Sequence, residues 1–131
     1  MKYELLQLKK ELKEELTHNI LPFWMDKMTD DMHGGYYGQM TGKNQLVKNA
    51  PKGGILNARI LWTFSSAALY FKSPLYAEYA KRAKDYILEH FFDNDNGVFI
   101  GCFMPTGVRR IQKNKFITRL FLFMGWWNII V

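Results

Sequence analysis

The sequence predicts an all-α fold, and three stretches carry that prediction. Leu5, Leu8, Leu12 and Leu16 recur at steps of three and four with Lys and Glu between them, the pattern of an amphipathic helix over residues 3–19. Residues 55–71, ILNARILWTFSSAALYF, are apolar on nearly every side with Arg59 their one full charge, which marks a helix buried all round. Beyond Ser73-Pro74, the residues Tyr76, Ala80, Ala83 and Ile87 line one face of a third helix.

The elements follow in order. Ile20 extends the apolar face of the first helix, and Pro22 interrupts it, so that Phe23, Trp24 and Met25 read as a hydrophobic corner. Thr29 to Gly54 holds six glycines and one proline and reads as loop. Within it, GYYGQMTGKNQLV fits a short β-hairpin, its T-G-K-N turn lying between two short strands. After the buried helix, Ser73 suits an N-cap and Pro74 the first turn of the next helix. Glu78 with Arg82 and Lys81 with Asp85 form i,i+4 pairs on its outer side. That helix should end near His90 to Phe92, and Asp93 to Gly97 is a turn. One exposed, one buried and one exposed helix fit an α-hairpin repeat or a helical toroid. With so few helices, the buried one lacks partners for all its faces.

At 131 residues, 48% hydrophobic and 16% aromatic, the chain can form one compact core. The single cysteine, Cys102, excludes an internal disulfide framework and a Cys-based metal cluster, as suits a reducing compartment. The N-terminus is charged throughout and has no apolar core of a signal peptide, so cytoplasm is the expected location. No G-x-G-x-x-G, P-loop or metal-spaced cluster is present, and no cofactor is expected.

The charge is unevenly spread. Residues 1–98 carry 13 Lys or Arg against 12 acids, whereas 99–131 carry five, Arg109, Arg110, Lys113, Lys115 and Arg119, against none. The body's charges are interleaved and form no basic stripe, which argues against nucleic acid as a partner despite the net charge of +6.

Five motifs, NILPFW (19–24), GGYYG (34–38), KGGILNARILWTFS (52–65), RAKDYI (82–87) and the closing NGV (96–98), resemble the N-terminal part of the N-acylglucosamine 2-epimerase superfamily. Within it they most resemble the cellobiose-acting branch. The likeness covers residues 3–98, with NARILW its most specific piece. It implies the opening portion of an (α/α)6 barrel, in which the all-apolar helix belongs to the inner ring. It also implies an isomerase that interconverts the C2 stereochemistry of the reducing-end glucose of β-1,4 disaccharides such as cellobiose. N-acyl-D-glucosamine 2-epimerase and mannose isomerase on the same scaffold are the alternatives, and the partner is a disaccharide or monosaccharide substrate.

Epimerisation at C2 requires removing a proton α to the carbonyl of the open-chain sugar and returning it on the other face. That calls for two groups exchanging protons near neutral pH and a donor to stabilise the enediolate oxygen. The resemblance assigns the donor to Arg59; the competing reading is a structural ion pair. Tyr37, in the G-G-aromatic-Y-G pattern, is placed near the barrel mouth as a substrate contact, with loop packing as the alternative. Asn57 and Trp62 are further substrate-binding candidates that packing would equally explain. The family's two acid/base histidines lie in later helices. His18 and His90 fit helix ends, and His33 fits a turn position where relatives carry Asn. Cys102 has no His beside it and no nucleophile role.

After Val98 the resemblance stops. Back-translating residues 99–130 with permitted codons and reading two nucleotides further on allows a string containing a T-D-T-K-K turn, similar to the missing family segment. Free third bases choose only the first letter of each shifted codon, so a sustained match is hard to reach by chance. The expectation is an epimerase-like body at 1–98 and a frameshifted tail at 99–131, with the chain inactive by itself. The non-enzyme alternative is a small membrane-surface or interaction protein. The apolar run after Arg119 is 12 residues, short of the roughly 20 that span a bilayer, which argues against a membrane helix. Apolar surface left open by a truncated barrel favours self-association.

Overall fold

A computed structural model describes residues 2–93 together with 98–99, 102–103 and 109–110. The Leu-periodic segment forms α1 (Lys2–Glu15), which passes through a π-helical turn (Leu16–Ile20) directly into α2 (Leu21–Asp26). Pro22 therefore does not end the helix, contrary to the sequence reading. Proline lacks the N–H that would bond four residues back, and the widened turn just before it places Pro22 at the start of a new α-helical segment, where that N–H is not required.

The loop that follows is ordered by two isolated bridges, Thr29 with Tyr36 and Met40 with Leu46. The expected T-G-K-N turn is present, with the Thr41 N–H donating to Gln45 O at 2.8 Å, the Asn44 N–H to Thr41 O at 3.0 Å, and Asn44 in the left-handed region at φ 58°. Its flanks reduce to a single bridge instead of two strands.

A short strand, β1 (Lys52–Gly53), leads straight into α3 (Gly54–Phe71). Lys72, in the left-handed conformation at φ 51°, ends α3, and α4 (Pro74–Tyr86) runs back along it. Ser73 occupies the position before α4 with extended backbone, but its side chain makes no capping hydrogen bond, so Pro74 alone defines the start. A second π-helical turn (Ile87–Phe91) follows α4, and β2 (Phe92–Asp93) pairs antiparallel with β3 (Val98–Phe99). β1 pairs antiparallel with β4 (Cys102–Phe103), which pairs with β5 (Arg109–Arg110). The turn expected at Asp93 to Gly97 lies mostly outside the described residues.

The core sits between α3 and α4. Ala80, Ala83 and Ile87 are buried as their spacing predicts, with Tyr76 packed at the margin. Phe64 is its centre: Tyr36 stacks on it at 6.3 Å, Tyr79 at 5.4 Å, and Tyr76 lies tilted at 6.3 Å. Tyr36 is fully buried although it belongs to the loop, and its hydroxyl donates to Tyr79 O at 2.9 Å. The loop is thus part of the core. α3, by contrast, is not buried all round: Arg59, Trp62, Leu69 and Tyr70 form an exposed stripe, because the described elements cover only one of its sides.

Two glycines let the loop reach this position. Gly35 has φ +63°, and a Cβ there would stand 2.6 Å from Tyr86 Cγ; at Gly38 it would stand 2.0 Å from the Pro51 carbonyl oxygen. Gly35→Ala should cost about 2 kcal/mol or more, since backbone strain and overpacking act together. Gly42→Ala, where a Cβ meets nothing within 4 Å, should be near neutral. Urea unfolding followed by circular dichroism measures both; equal stabilities would refute the close approach of loop and α4.

Candidate functional site

Three elements meet at one carboxylate. Asp30 follows α2 and is fully buried. Its Oδ1 accepts the backbone N–H groups of Met32 at 3.1 Å and His33 at 3.0 Å, a local turn built by the side chain itself. Its Oδ2 accepts a hydrogen bond from Lys52 Nζ at 2.7 Å. Lys52, also fully buried, enters from β1, donates a second hydrogen bond to Gly34 O at 2.6 Å, and lies 4.8 Å from the centre of the Tyr86 ring.

Arg82 completes the knot from α4. Its Nε donates to Gly35 O at 3.0 Å, and its Nη2 reaches both the Asp30 backbone oxygen and, at 3.0 Å, Asp31 Oδ1. The expected i,i+4 partner of Arg82, Glu78, is thereby passed over for the loop, whereas the Lys81–Asp85 pair forms as expected at 2.6 Å. Three loop carbonyls, of Asp30, Gly34 and Gly35, are satisfied by two cations, so the loop needs no ladder of its own.

Burial acts on both charged groups. It raises the Asp30 pKa, but the Lys52 hydrogen bond, the His33 N–H and the nearby positive charges outweigh it and hold the carboxyl below its ordinary 3.8. Burial pulls the Lys52 ammonium below its ordinary value, opposed by Asp30. Burial, with Asp30 and Glu89 nearby, pushes the Tyr86 phenol up to about 12. Although a depressed lysine pKa can signal a base or nucleophile, Lys52 is enclosed and committed to two oxygens, so it holds structure. Sequence reasoning passed over Asp30 and Lys52 and gave Arg82 to Glu78; a lysine directly before the paired glycines that open α3 was the available signal.

The sequence-predicted site residues divide around this knot. Tyr37 is half-buried; its N–H donates to Met28 O at 2.8 Å, and its ring centre lies 5.9 Å from Lys52 Nζ. Burial first, then Asp30 and Asp31, raises the pKa of its phenol. Asn57, in the first turns of α3, is fully buried, and its Nδ2 donates to Gly53 O at 2.9 Å, while Oδ1 has no hydrogen-bond partner among the described residues. Arg59 and Trp62 share the exposed stripe of α3, on a different side from Asn57. The structure therefore brings Arg59 and Trp62 together, seats Tyr37 on the knot, and turns Asn57 inward.

The histidines stay peripheral. His33 Nδ1 lies 3.4 Å from Asp30 Oδ2, His18 Nδ1 lies 3.1 Å from Glu14 O, and the His90 ring centre is 4.3 Å from that of Tyr86. Among the described residues no group of three or more His, Cys, Asp or Glu could hold a metal ion. A groove of about 570 Å³ between α1 and α3, lined by Leu8, Leu12, Trp62 and Tyr70 among others, is almost wholly apolar and lacks the convergent donors a sugar needs. No described helix is long and apolar enough to cross a membrane.

No family model matches the chain. It is 50% identical over 90 residues to the cellobiose 2-epimerase of Bacteroides fragilis, a match covering 69% of this chain and 23% of that protein. The structure of cellobiose 2-epimerase from Bacillus thermoamylovorans superposes with a TM-score of 0.76 at 34% identity, covering 80% of this chain and 27% of that one. A D-mannose isomerase structure, at 14% identity and a TM-score of 0.73 over 84% of this chain and 28% of its own, shares the fold. The chain thus spans about a quarter of the length of the relatives it matches. These likenesses are consistent with the N-acylglucosamine 2-epimerase superfamily and with a helical-barrel architecture matched over only part of its length.

The buried pair yields a double-mutant test. Lys52→Met leaves Asp30 buried without its cation and should cost about 3–5 kcal/mol, and clearly less in an Asp30→Asn background. Additive costs in urea unfolding would contradict a direct interaction. Because the Asp30 pKa is lowered on folding, its contribution is present above the ordinary 3.8 and lost as pH falls through the lower folded value. Acid unfolding of Asp30→Asn should lack that part of the transition.

Proposed function

With the N-terminal part of a cellobiose 2-epimerase-like barrel as premise, we propose that a full-length parent of this chain interconverts C2 stereochemistry at the reducing-end glucose of β-1,4 disaccharides such as cellobiose. The observation that carries this reading is the 50% identity over 90 residues, together with Arg59 standing on the open stripe of α3. Arg59 is exposed there, on a different side of α3 from the buried Asn57.

In this reading Arg59 stabilises the enediolate oxygen while two histidines of the absent portion exchange the C2 proton across the two faces. Trp62, beside Arg59 on the stripe, offers an aromatic face to the sugar ring, and Tyr37 a phenol near the mouth. Asn57 acts at one remove, by tying the first turn of α3 to Gly53. The sequence after Val98 is a shifted reading frame, the protein works in the cytoplasm, and the 131-residue chain alone is inactive. N-acyl-D-glucosamine 2-epimerase or mannose isomerase would use Arg59 in the same role; the sugar accepted by the parent separates them.

The chain as it stands should give no epimerisation of cellobiose, and measurable turnover would overturn the requirement for the absent histidines. In a parent restored to full length, Arg59→Ala should lower kcat/KM by about 10²-fold or more. An unchanged rate would make Arg59 structural. Sequencing the gene across the Asp95 codon and beyond the stop should reveal a shifted, histidine-bearing frame; its absence would return the tail to the protein proper.

A further inference from the structure

A buried ion pair adds little net stability over apolar side chains of the same volume, because desolvation of both charges offsets their attraction; its best-attested use is to fix one arrangement among several. The arrangement that Lys52 fixes has two ends. At one end its ammonium, held by Asp30 Oδ2 and Gly34 O, lies 4.8 Å from the centre of the Tyr86 ring and 5.9 Å from that of Tyr37, within the range over which a cation is drawn to an aromatic face. Tyr86 is buried and Tyr37 half-buried, so of these two rings Tyr37 is the one that keeps surface for a ligand. The backbone reinforces the contact. A Cβ at Gly38 would stand 2.0 Å from Pro51 O and 3.2 Å from Lys52 Cα, so the chain just after Tyr37 lies directly on residues 51 and 52.

At the other end, Lys52 belongs to β1, which runs into α3 without a break, and Asn57 Nδ2 ties the first turn back to Gly53 O at 2.9 Å. Arg59 follows in the second turn of that helix. One residue thus connects the loop that carries Tyr37 with the start of the helix that carries Arg59. A methionine in its place would fill the volume of the stem and leave the Tyr37 ring without the cation beside it.

We propose that Lys52 is a positioning residue for the sugar site, holding the Tyr37 ring in a fixed place relative to Arg59 so that its phenol engages a substrate hydroxyl. This rests on the reading of Tyr37 and Arg59 given above, and adds to it a residue that is itself enclosed and acts through Tyr37.

The Asp30→Asn, Lys52→Met double variant removes both charges together and so leaves no lone buried ion. In the 131-residue chain carrying isotope-labelled tyrosine, nuclear magnetic resonance of this variant should show the Tyr37 ring signals moved toward those of free tyrosine. The Tyr36 signals should stay in place, since Phe64 and Tyr79 hold that ring. In a parent restored to full length, the same variant should raise KM for cellobiose about three- to tenfold, the scale of one hydrogen bond, and leave kcat nearly unchanged. Tyr37→Leu should raise KM by a similar factor, and combining it with the double variant should raise KM no further. Should the double variant lose the Tyr36 signals and fail to fold, Asp30→Asn alone replaces it in both measurements, with the same direction of change expected. An unmoved Tyr37 ring, a KM indifferent to the charge pair, or a loss that multiplies with that of Tyr37→Leu overturns the proposal, while a rate lost in Arg59→Ala keeps the sugar reading intact. A parent that does not epimerise cellobiose overturns both.

Discussion

The Asp30–Lys52 pair is the constraint on which the rest of the structure depends. Each group would be costly to bury alone, and at 2.7 Å, with Asp30 Oδ1 accepting two backbone N–H groups and Lys52 donating also to Gly34 O, they offset each other. The consequence is topological: Asp30 follows α2, Lys52 begins β1, and 21 residues of glycine-rich chain lie between them. One ion pair closes that span and sets where α3 starts. Arg82 then ties the same loop to α4, so that all three helical segments after α1 are referred to one buried point.

Closing the loop in this way also builds the core. Tyr36 can stack on Phe64 only because Gly34 and Gly35, both at positive φ, pass close under the Tyr86 ring. Hydrophobic burial and ionic specificity therefore act on the same residues. Removing the cation exposes the loop carbonyls to an apolar surround, while removing the glycine lifts the aromatic residue from its place.

Much of this was legible in the sequence. Helical periodicity located α1, α3 and α4, because apolar spacing reports directly on which face is covered. Pro22 misled, since the sequence gives no sign of the π-helical turn that accommodates it. The all-apolar character of α3 suggested full burial, but Trp62, Leu69 and Tyr70 are exposed, because the described elements cover only one side of the helix. Arg59, Trp62 and Tyr37 were named as candidates through family resemblance, and their placement on the stripe and the knot required coordinates. Asp30 and Lys52 escaped notice, and Arg82 was read only as a partner of Glu78, because a pairing across more than twenty residues leaves no local period. Individually each looks like an ordinary solvated charge.

The central claim is that the loop is held as firmly as the helices it joins. Backbone hydrogen exchange tests it most directly, through the amides of Asp30 and Tyr37, which donate to Gly35 O and Met28 O, compared with those of Ile60 and Leu61 within α3. If the ion pair seats both elements, the loop and helix amides open in one cooperative unit and show the same protection. Loop amides exchanging at the rate of a free chain while α3 stays protected would contradict the account.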